Sequence, residues 1–400
     1  MKIPFSPPDI TEQEADMVRE ALLSGWITTG PKTKEFERQI AAYCGVTRAV
    51  CLNSATAGME SVLRLLGVGP GDEVITSAYT YTATASAICH VGAKVVLVDT
   101  AADSFEMDYQ KMADAITERT KVVIPVDFAG VVCDYDAVYA AVESKKQLFR
   151  PANDLQVAFG RVIVLADAAH AFGSRWHGKL AGAIADFTAF SFHAVKNLTT
   201  AEGGAVTWRN PTDDAGWDTR LYKQFQLLSL HGQSKDAFAK AQLGSWEYDI
   251  IAPYYKCNMT DLTAAIGLVQ LQRYPSLLQR RWQMIERYNE AFKDAPLDIL
   301  QRIVSPDTCS NGHLYITRLV GRGLEERNAV IARMAEHGIA CNVHFKPLPM
   351  MTAYRALGFD IQDYPQAFDM FQNEVTLPLH TRLTDDMVDY VIQNYLEAIR

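Results

Sequence analysis

Lys196 stands in the stretch Ser191-Phe-His-Ala-Val-Lys196-Asn-Leu-Thr-Thr-Ala-Glu-Gly-Gly204, a reactive amine set among hydroxyls and glycines. The preceding Asp186-Phe-Thr-Ala-Phe190 alternates aromatic and small residues and predicts a buried strand running straight into that loop. Desolvation in a cleft disfavours an ammonium, so a lysine delivered there from a strand end is poised as the neutral amine that Schiff-base chemistry needs. Upstream, Val162-Ile-Val-Leu-Ala-Asp167 is an apolar run closed by a carboxylate. That is the pattern of a central parallel strand with an acid at its C-terminal end. An aspartate and a lysine so placed suit a bound pyridoxal phosphate, the lysine joining the cofactor's carbonyl carbon and the acid partnering its pyridinium nitrogen. Taken alone, Asp167 reads better as a helix N-cap, with Ala168-Ala-His170 opening the helix.

A phosphate also needs a seat. Arg48-Ala-Val-Cys-Leu-Asn53 predicts a strand and Ala57 to Leu66 the helix after it, with Ser54-Ala55-Thr56 between them. A helix N-terminus offers unpaired amides and a partial positive charge, and short side chains let a phosphate reach them. By itself this turn is better explained by a plain Ser/Thr cap. Ser191 is placed to add a hydroxyl from the other side. A flat pyridine ring needs a flat neighbour, and Tyr81 in Tyr79-Thr-Tyr81-Thr-Ala-Thr84 is a candidate for offset stacking; a core tyrosine is the plainer alternative.

Asp-Ala-Ala-His170 followed by Ser-Phe-His-x-x-Lys196-Asn-Leu-Thr-Thr-x-Glu-Gly-Gly resembles the DegT-type sugar aminotransferases, which are fold-type-I pyridoxal-phosphate enzymes. The resemblance runs from Ile3-Pro-Phe-Ser-Pro-Pro-Asp9 and Ser24-Gly-Trp-Ile-Thr-Thr-Gly-Pro31 to Leu377-Pro-Leu-His380 and Leu383-Thr-Asp-Asp386. It implies that Lys196 and Asp167 are catalytic, that Ser54, Ala55 (by its backbone), Thr56 and Ser191 hold the cofactor phosphate, and that Tyr81 stacks on the ring. It implies that His170 bonds the phenolic oxygen; a satisfied packing histidine is the alternative. It also implies that Tyr254-Tyr-Lys-Cys-Asn258-Met-Thr-Asp261 reaches a neighbouring subunit, where Asn258 touches phosphate, so that a homodimer shares its active sites. Trp26 to Thr28 are candidate sugar contacts; His344 and Lys346, where the family keeps a histidine-rich turn, are candidates to face substrate and stand outside the catalytic set. The implied reaction moves an amino group from an amino acid, L-glutamate by analogy, to a keto sugar, foremost a nucleotide-linked 4-keto-6-deoxy sugar. Ala201 departs from the family's glycine and makes the loop less permissive.

The elements that must position these groups follow in order. Thr11 to Leu23 predicts a helix with a capping box from Thr11 to Glu14, and Lys32 to Tyr43 an amphipathic helix. Strands are expected at 48–53, 73–77, 94–98, 121–126, 161–166, 186–191 and 204–208, most of them separated by helical or long segments. The fold class is therefore α/β, a mostly parallel seven-stranded sheet flanked by helices, with ligands at the carboxyl ends of strands. We expect a pyridoxal-phosphate-binding large domain over 1–250 and, over 251–400, a cross-subunit segment, a linking helix and a small α+β domain. Within the latter, 262–271 and 277–292 read as helices, 313–320 and 339–345 as strands, 324–337 and 387–399 as helices. Lys145 to Gln156 reads as a surface insertion, and 211–253, with Trp217 and Trp246 among polar residues, gives no firm pattern.

Composition excludes several alternatives. The 400 residues are 48% hydrophobic, enough for a large core, and the formal net charge of −9 argues against a nucleic-acid partner. Seven scattered cysteines without a C-x-x-C pair suggest reduced thiols in a cytoplasmic protein, with no zinc site and no disulfide framework. No apolar run is long enough for a membrane span. Sugar dehydratases of the same family carry histidine in place of the lysine, so Lys196 argues against that activity. A sulfur lyase would want a mobile reactive cysteine, and a non-catalytic regulator a basic face; neither is legible.

Overall fold

The structure, a computed structural model, describes residues 1–234, 247–299 and 307–400, so Trp246 lies outside the described residues. Two helices open the chain, α1 (Glu12–Leu23) and α2 (Pro31–Cys44), followed by β1 (Ala49–Leu52), α3 (Ala55–Leu65), β2 (Glu73–Ser77), α4 (Thr82–His90), β3 (Lys94–Val98), β4 (Thr120–Ile124) and β5 (Ile163–Asp167). A short hairpin, β6 (Arg175–Trp176) and β7 (Lys179–Leu180), precedes β8 (Phe187–Ser191) and β9 (Gly204–Trp208). The main sheet runs β1-β9-β8-β5-β4-β2-β3. Pairs among β3, β2, β4, β5 and β8 are parallel, and β9 lies antiparallel between β8 and β1.

That order sets the site. Asp167 ends β5 opposite Ala189, Ser191 ends β8 opposite Gly204, and Gly204 in turn faces Leu52 at the end of β1. The C-terminal ends of β1, β5 and β8 therefore share one edge, where ligands of open α/β sheets gather. The strands are buried on both faces, as continuous apolar runs require. Helix α3 seats against them through Met59, Val62 and Leu63, all fully buried and each worth about 1.5–3 kcal/mol of burial. Gly58 permits this contact, because an added Cβ would stand 2.9 Å from Val206.

Several local signals behave as read. Thr11 caps α1 in a complete capping box with Glu14. Helix α2 begins at Gly30, which has no side chain to cap with; the Asp261 carboxylate does so from afar, accepting the amides of Gly30, Lys32 and Thr33 at 2.8–3.0 Å. Other expectations change. The two helices expected at 262–271 and 277–292 are one helix, Asp261–Phe292, continuous through Pro275, because buried side chains on both sides (Leu271, Tyr274, Leu277, Leu278) hold it straight across the missing amide. The expected strand at 339–345 is not one. Ile339 and Asn342 make single bridges to Ile3 and Thr376, and the place beside β12 (Tyr315–Leu319) is taken by β13 (Glu374–Leu377), with β10 (Leu297–Ile299) on its other side. Residues 145–156 are no loose insertion: Asn153 caps a helix at Asp154–Phe159, and Asn153 and Gln156 both donate to the Leu66 carbonyl at 2.7 Å. A second apolar cluster, including Met284, Tyr288, Phe292, Tyr315 and Tyr395, packs the end of the long helix against the small sheet.

Ala201 has φ of +68° in the lysine loop, a region that favours glycine. Ala201→Gly should therefore stabilise the fold by about 1 kcal/mol. A urea midpoint that fails to rise would contradict this.

Candidate active site

One cleft of about 400 Å³ opens at the shared edge of the sheet and is lined by Ser54, Ala55, Thr56, Tyr81, Asp167 and His170, with Ser191 and Lys196. Eight of the nine residues singled out from the sequence thus converge. Asn258 does not line this cleft. Its segment docks along the outer edge of β1, where the Asn53 amide donates to Cys257 and Leu52 bridges Asn258. Its side-chain amide donates to Thr29 Oγ1 at 2.5 Å and to the Met259 carbonyl at 3.2 Å, and Lys256 hydrogen-bonds its carbonyl oxygen. Trp26 to Thr28 and Lys346 are likewise absent from the lining, whereas His344 is part of it.

The phosphate end is built by two close approaches. Ser54 caps α3, its Oγ accepting the Ala57 amide at 3.0 Å, so the helix begins two residues earlier than the sequence suggested. Capping is compatible with a phosphate cup, since the cap takes the Ala57 amide and leaves those of Ala55 and Thr56 in the first turn without intrahelical partners. Gly204 lies against this turn: a Cβ there would sit 2.5 Å from the Ser54 carbonyl carbon and 2.6 Å from the Ala55 nitrogen. No larger residue leaves the cup intact.

At the floor, Asp167 is 5% exposed. Its Oδ2 accepts the Thr84 hydroxyl at 2.6 Å, Thr84 in turn sits 2.8 Å from Thr80, and Oδ1 accepts the Ala169 amide at 3.2 Å. Burial pushes this carboxyl up, while Thr84, Ala169 and the charge of Lys196 oppose the shift. Burial acts on Lys196 in the opposite sense and lowers its ammonium to about 8, against the pull of Asp167. Both shifts favour neutral groups, so desolvation outweighs their mutual attraction. The lysine therefore gives up its proton more readily than an exposed lysine does, which is the direction Schiff-base chemistry needs.

His170 Nδ1 accepts the Ala129 amide at 3.3 Å, which leaves the proton on Nε2. Burial, with Lys196 and His344 nearby, holds the ring well below the usual histidine range, so it stays neutral and donates one hydrogen bond. Tyr81 is 61% exposed at the start of α4 and lies 5.8 Å, centroid to centroid, from Phe345. An exposed aromatic face at the cleft mouth suits a flat ligand better than the core-tyrosine reading.

Among the lining residues not singled out from the sequence are His313, from the C-terminal part of the chain, and Asp127, which follows β4. Asp127 carries the same signal as Asp167, an acid closing an apolar strand; burial pushes it up to about 7 despite bonds from the Cys133 amide and Tyr135. His313 carries no local signal, because distant contacts bring it in.

These residues fit pyridoxal phosphate. Orphan amides and hydroxyls stand at one end of the cleft, a buried carboxylate at its floor, a neutral donor in His170, and a lysine with a depressed pKa beside them. Such a set on a mostly parallel sheet defines a fold-type-I pyridoxal-phosphate aminotransferase. Residues 8–395 match the DegT/DnrJ/EryC1/StrS aminotransferase family model, and the chain belongs to that family.

Relatives agree. Spr1654 from Streptococcus pneumoniae, a provisionally assigned sugar aminotransferase, is 56% identical in its PMP form, with a TM-score of 0.96 over 100% of this chain and 99% of that one. Its PLP form is 55% identical, TM-score 0.95, over 100% and 99% of the two chains. The spore coat polysaccharide biosynthesis protein SpsC of Bacillus subtilis is 37% identical over 100% of this chain and 97% of its own. The UDP-4-amino-4-deoxy-L-arabinose–oxoglutarate aminotransferase of Shewanella sediminis is 38% identical over 88% and 85%. Pyridoxal phosphate is the cofactor, and the protein is an aminotransferase.

Proposed function

We propose that this aminotransferase takes the amino group of L-glutamate and delivers it to a nucleotide-linked 4-keto-6-deoxy sugar, serving amino-sugar or surface-polysaccharide synthesis. The observation that carries the sugar reading is the character of the wall: among the described residues lining the cleft there is no arginine. An enzyme that selects its acceptor by a carboxylate wants the planar, bidentate cation that only arginine supplies. Histidines, Thr80 and Ser6 instead offer single neutral hydrogen bonds suited to a polyol, while Phe5, Leu314 and Phe345 suit the methyl group of a 6-deoxy sugar. The Shewanella relative's name pairs a nucleotide-linked 4-amino sugar with oxoglutarate, which supports both the C4 position and the glutamate donor.

Bound pyridoxal phosphate supplies a carbonyl carbon that condenses with amines and a ring that stores an electron pair. Lys196 Nζ would hold the cofactor through its carbonyl carbon and, once free, would move the proton at the donor's α-carbon. Asp167 keeps the ring nitrogen protonated, and His170 donates Nε2–H to the phenolic oxygen. The amides of Ala55 and Thr56, with the hydroxyls of Ser54, Thr56 and Ser191, hold the phosphate, and Tyr81 covers the ring face. The large domain spans 1–250 and the remaining chain closes the cleft. Free cysteines, several of them buried, suit a cytoplasmic setting.

The experiment is to mix the pyridoxamine form with a panel of keto sugars and keto acids and follow the return of the pyridoxal absorbance. Nucleotide-linked 4-keto-6-deoxy hexoses should restore it rapidly; a panel in which only keto acids did so would defeat the sugar reading.

The protein works as a homodimer in which Asn258 of each chain reaches the other chain's phosphate. The exposed apolar residues Ile27, Tyr248, Ile250, Ile251 and Tyr255 support an interface near this segment. Co-expressed Asn258→Ala and Lys196→Ala chains should recover activity in mixed dimers that neither variant has alone. Folded hybrids without recovery, beside inactive Asn258→Ala homodimers, would exclude the cross-chain contact.

A further inference from the structure

The rings of His170 and His313 lie with centroids 4.4 Å apart and planes tilted by 47°, on segments far separated in sequence. Asn311 fixes their relation: its amide nitrogen donates to the carbonyls of His170 and Phe172 at 2.8 and 2.9 Å, and its backbone amide to Ser174 Oγ at 3.1 Å. His313 follows two residues later and lines the same cleft.

The two rings are held in opposite tautomers. Asn197 Nδ2 donates to the Asn311 carbonyl at 2.9 Å, so its Oδ1 is the atom facing His313 Nδ1, also at 2.9 Å. The reverse orientation would set two carbonyl oxygens against each other. An oxygen that only accepts requires the proton on His313 Nδ1. A second proton on Nε2 is excluded by the surroundings: burial comes first, and the neighbouring His170, Lys196, Arg281 and His344 each add to it, holding the ring well below the usual histidine range. Arg281, itself buried, donates to the His313 backbone carbonyl. His313 Nε2 is therefore a bare lone pair on the cleft wall, beside a His170 whose Nε2 carries a hydrogen.

We propose that His313 is a specificity residue: its Nε2, locked as an acceptor by Asn197, takes a hydrogen bond from a hydroxyl of the sugar acceptor next to the reacting carbonyl. The inference rests on the sugar reading given above. A lone acceptor discriminates by what it leaves unpaired, since a substrate lacking the hydroxyl strands a buried nitrogen, and a hydroxyl meeting no acceptor strands a donor. Asn197 is then a positioning residue acting through His313, and its place directly after Lys196 couples the sugar wall to the catalytic loop.

The test has two arms. In the first, cofactor-loaded enzyme labelled with nitrogen-15 in histidine is measured without any sugar; His313 should show its proton on Nδ1 and His170 on Nε2 throughout pH 6–8. In the second, His313→Asn places an amide nitrogen where Nδ1 was, keeping the bond to Asn197 while deleting Nε2. With a nucleotide-linked 4-keto-6-deoxy hexose, kcat/KM should fall by about tenfold or more, chiefly through KM, while the variant should use the matching 3-deoxy sugar at least as well as the unaltered enzyme does. Cofactor retention and its absorbance should not change, which separates this role from a general loss of the fold. A proton on His313 Nε2, or an equal loss with both sugars, overturns the proposal. Failure of the unaltered enzyme on every sugar overturns the sugar reading together with the hydroxyl assignment, and it is told apart because the ring-nitrogen measurement needs no sugar.

Discussion

Replacing Lys196 by alanine should lower turnover by about a thousandfold or more, since it removes both the attachment point and the group that moves the proton. The fold should survive, because among the described residues the Lys196 amine is destabilised by burial more than it is held by Asp167. Cofactor should still associate through the cup at Ser54 to Thr56, more weakly and exchangeably. Lys196→Arg is the sharper control: it restores a cation beside Asp167 yet presents no condensable amine, and it should be as inactive as alanine. An Arg variant with substantial activity would reduce Lys196 to an electrostatic partner.

Asp167→Asn should cost about a hundredfold or more in turnover, the scale associated with losing a preorganised electrostatic contact in a buried site. Asparagine keeps the shape and an oxygen for the Thr84 hydroxyl, so the melting temperature should change little. The same substitution has a second effect whose sign follows from the pKa causes. Burial depresses the Lys196 ammonium to about 8 and Asp167 pulls it back up, so removing that charge moves the midpoint below 8. Acylation of Lys196 in cofactor-free protein, followed across pH, should rise through about 8 in the unaltered chain and at lower pH in the variant. Near-normal half-reaction rates with an unmoved midpoint would reduce Asp167 to holding the turn after β5, which its bond to the Ala169 amide already does.

Much of this site was legible because burial on both faces leaves a strong mark in sequence. Val162 to Ala166 and Phe187 to Phe190 are unbroken or nearly unbroken apolar runs, and a polar residue closing such a run must sit at a strand end. Asp127, just after β4, carries the same mark. Ser54 was readable as a cap and as a phosphate seat, and it serves one role without losing the other. The C-terminal wall was not legible in the same way. Alternation at 339–345 encodes only half-burial, and with β13 filling the position beside β12, the segment is left with single bridges. His313 enters the cleft through Asn311, whose partners His170 and Phe172 lie far back in the chain, and no local pattern encodes such a contact. The cross-chain role proposed for Asn258 depends on a surface that one chain does not contain.

The measurement that bears most directly on the central claim is borohydride reduction of the cofactor-loaded enzyme, followed by peptide mapping. The account predicts a single stable phosphopyridoxyl label on Lys196, in the peptide that contains Ser191 and Asn197, with no label in Lys196→Ala. Stoichiometric label on any other lysine would contradict it.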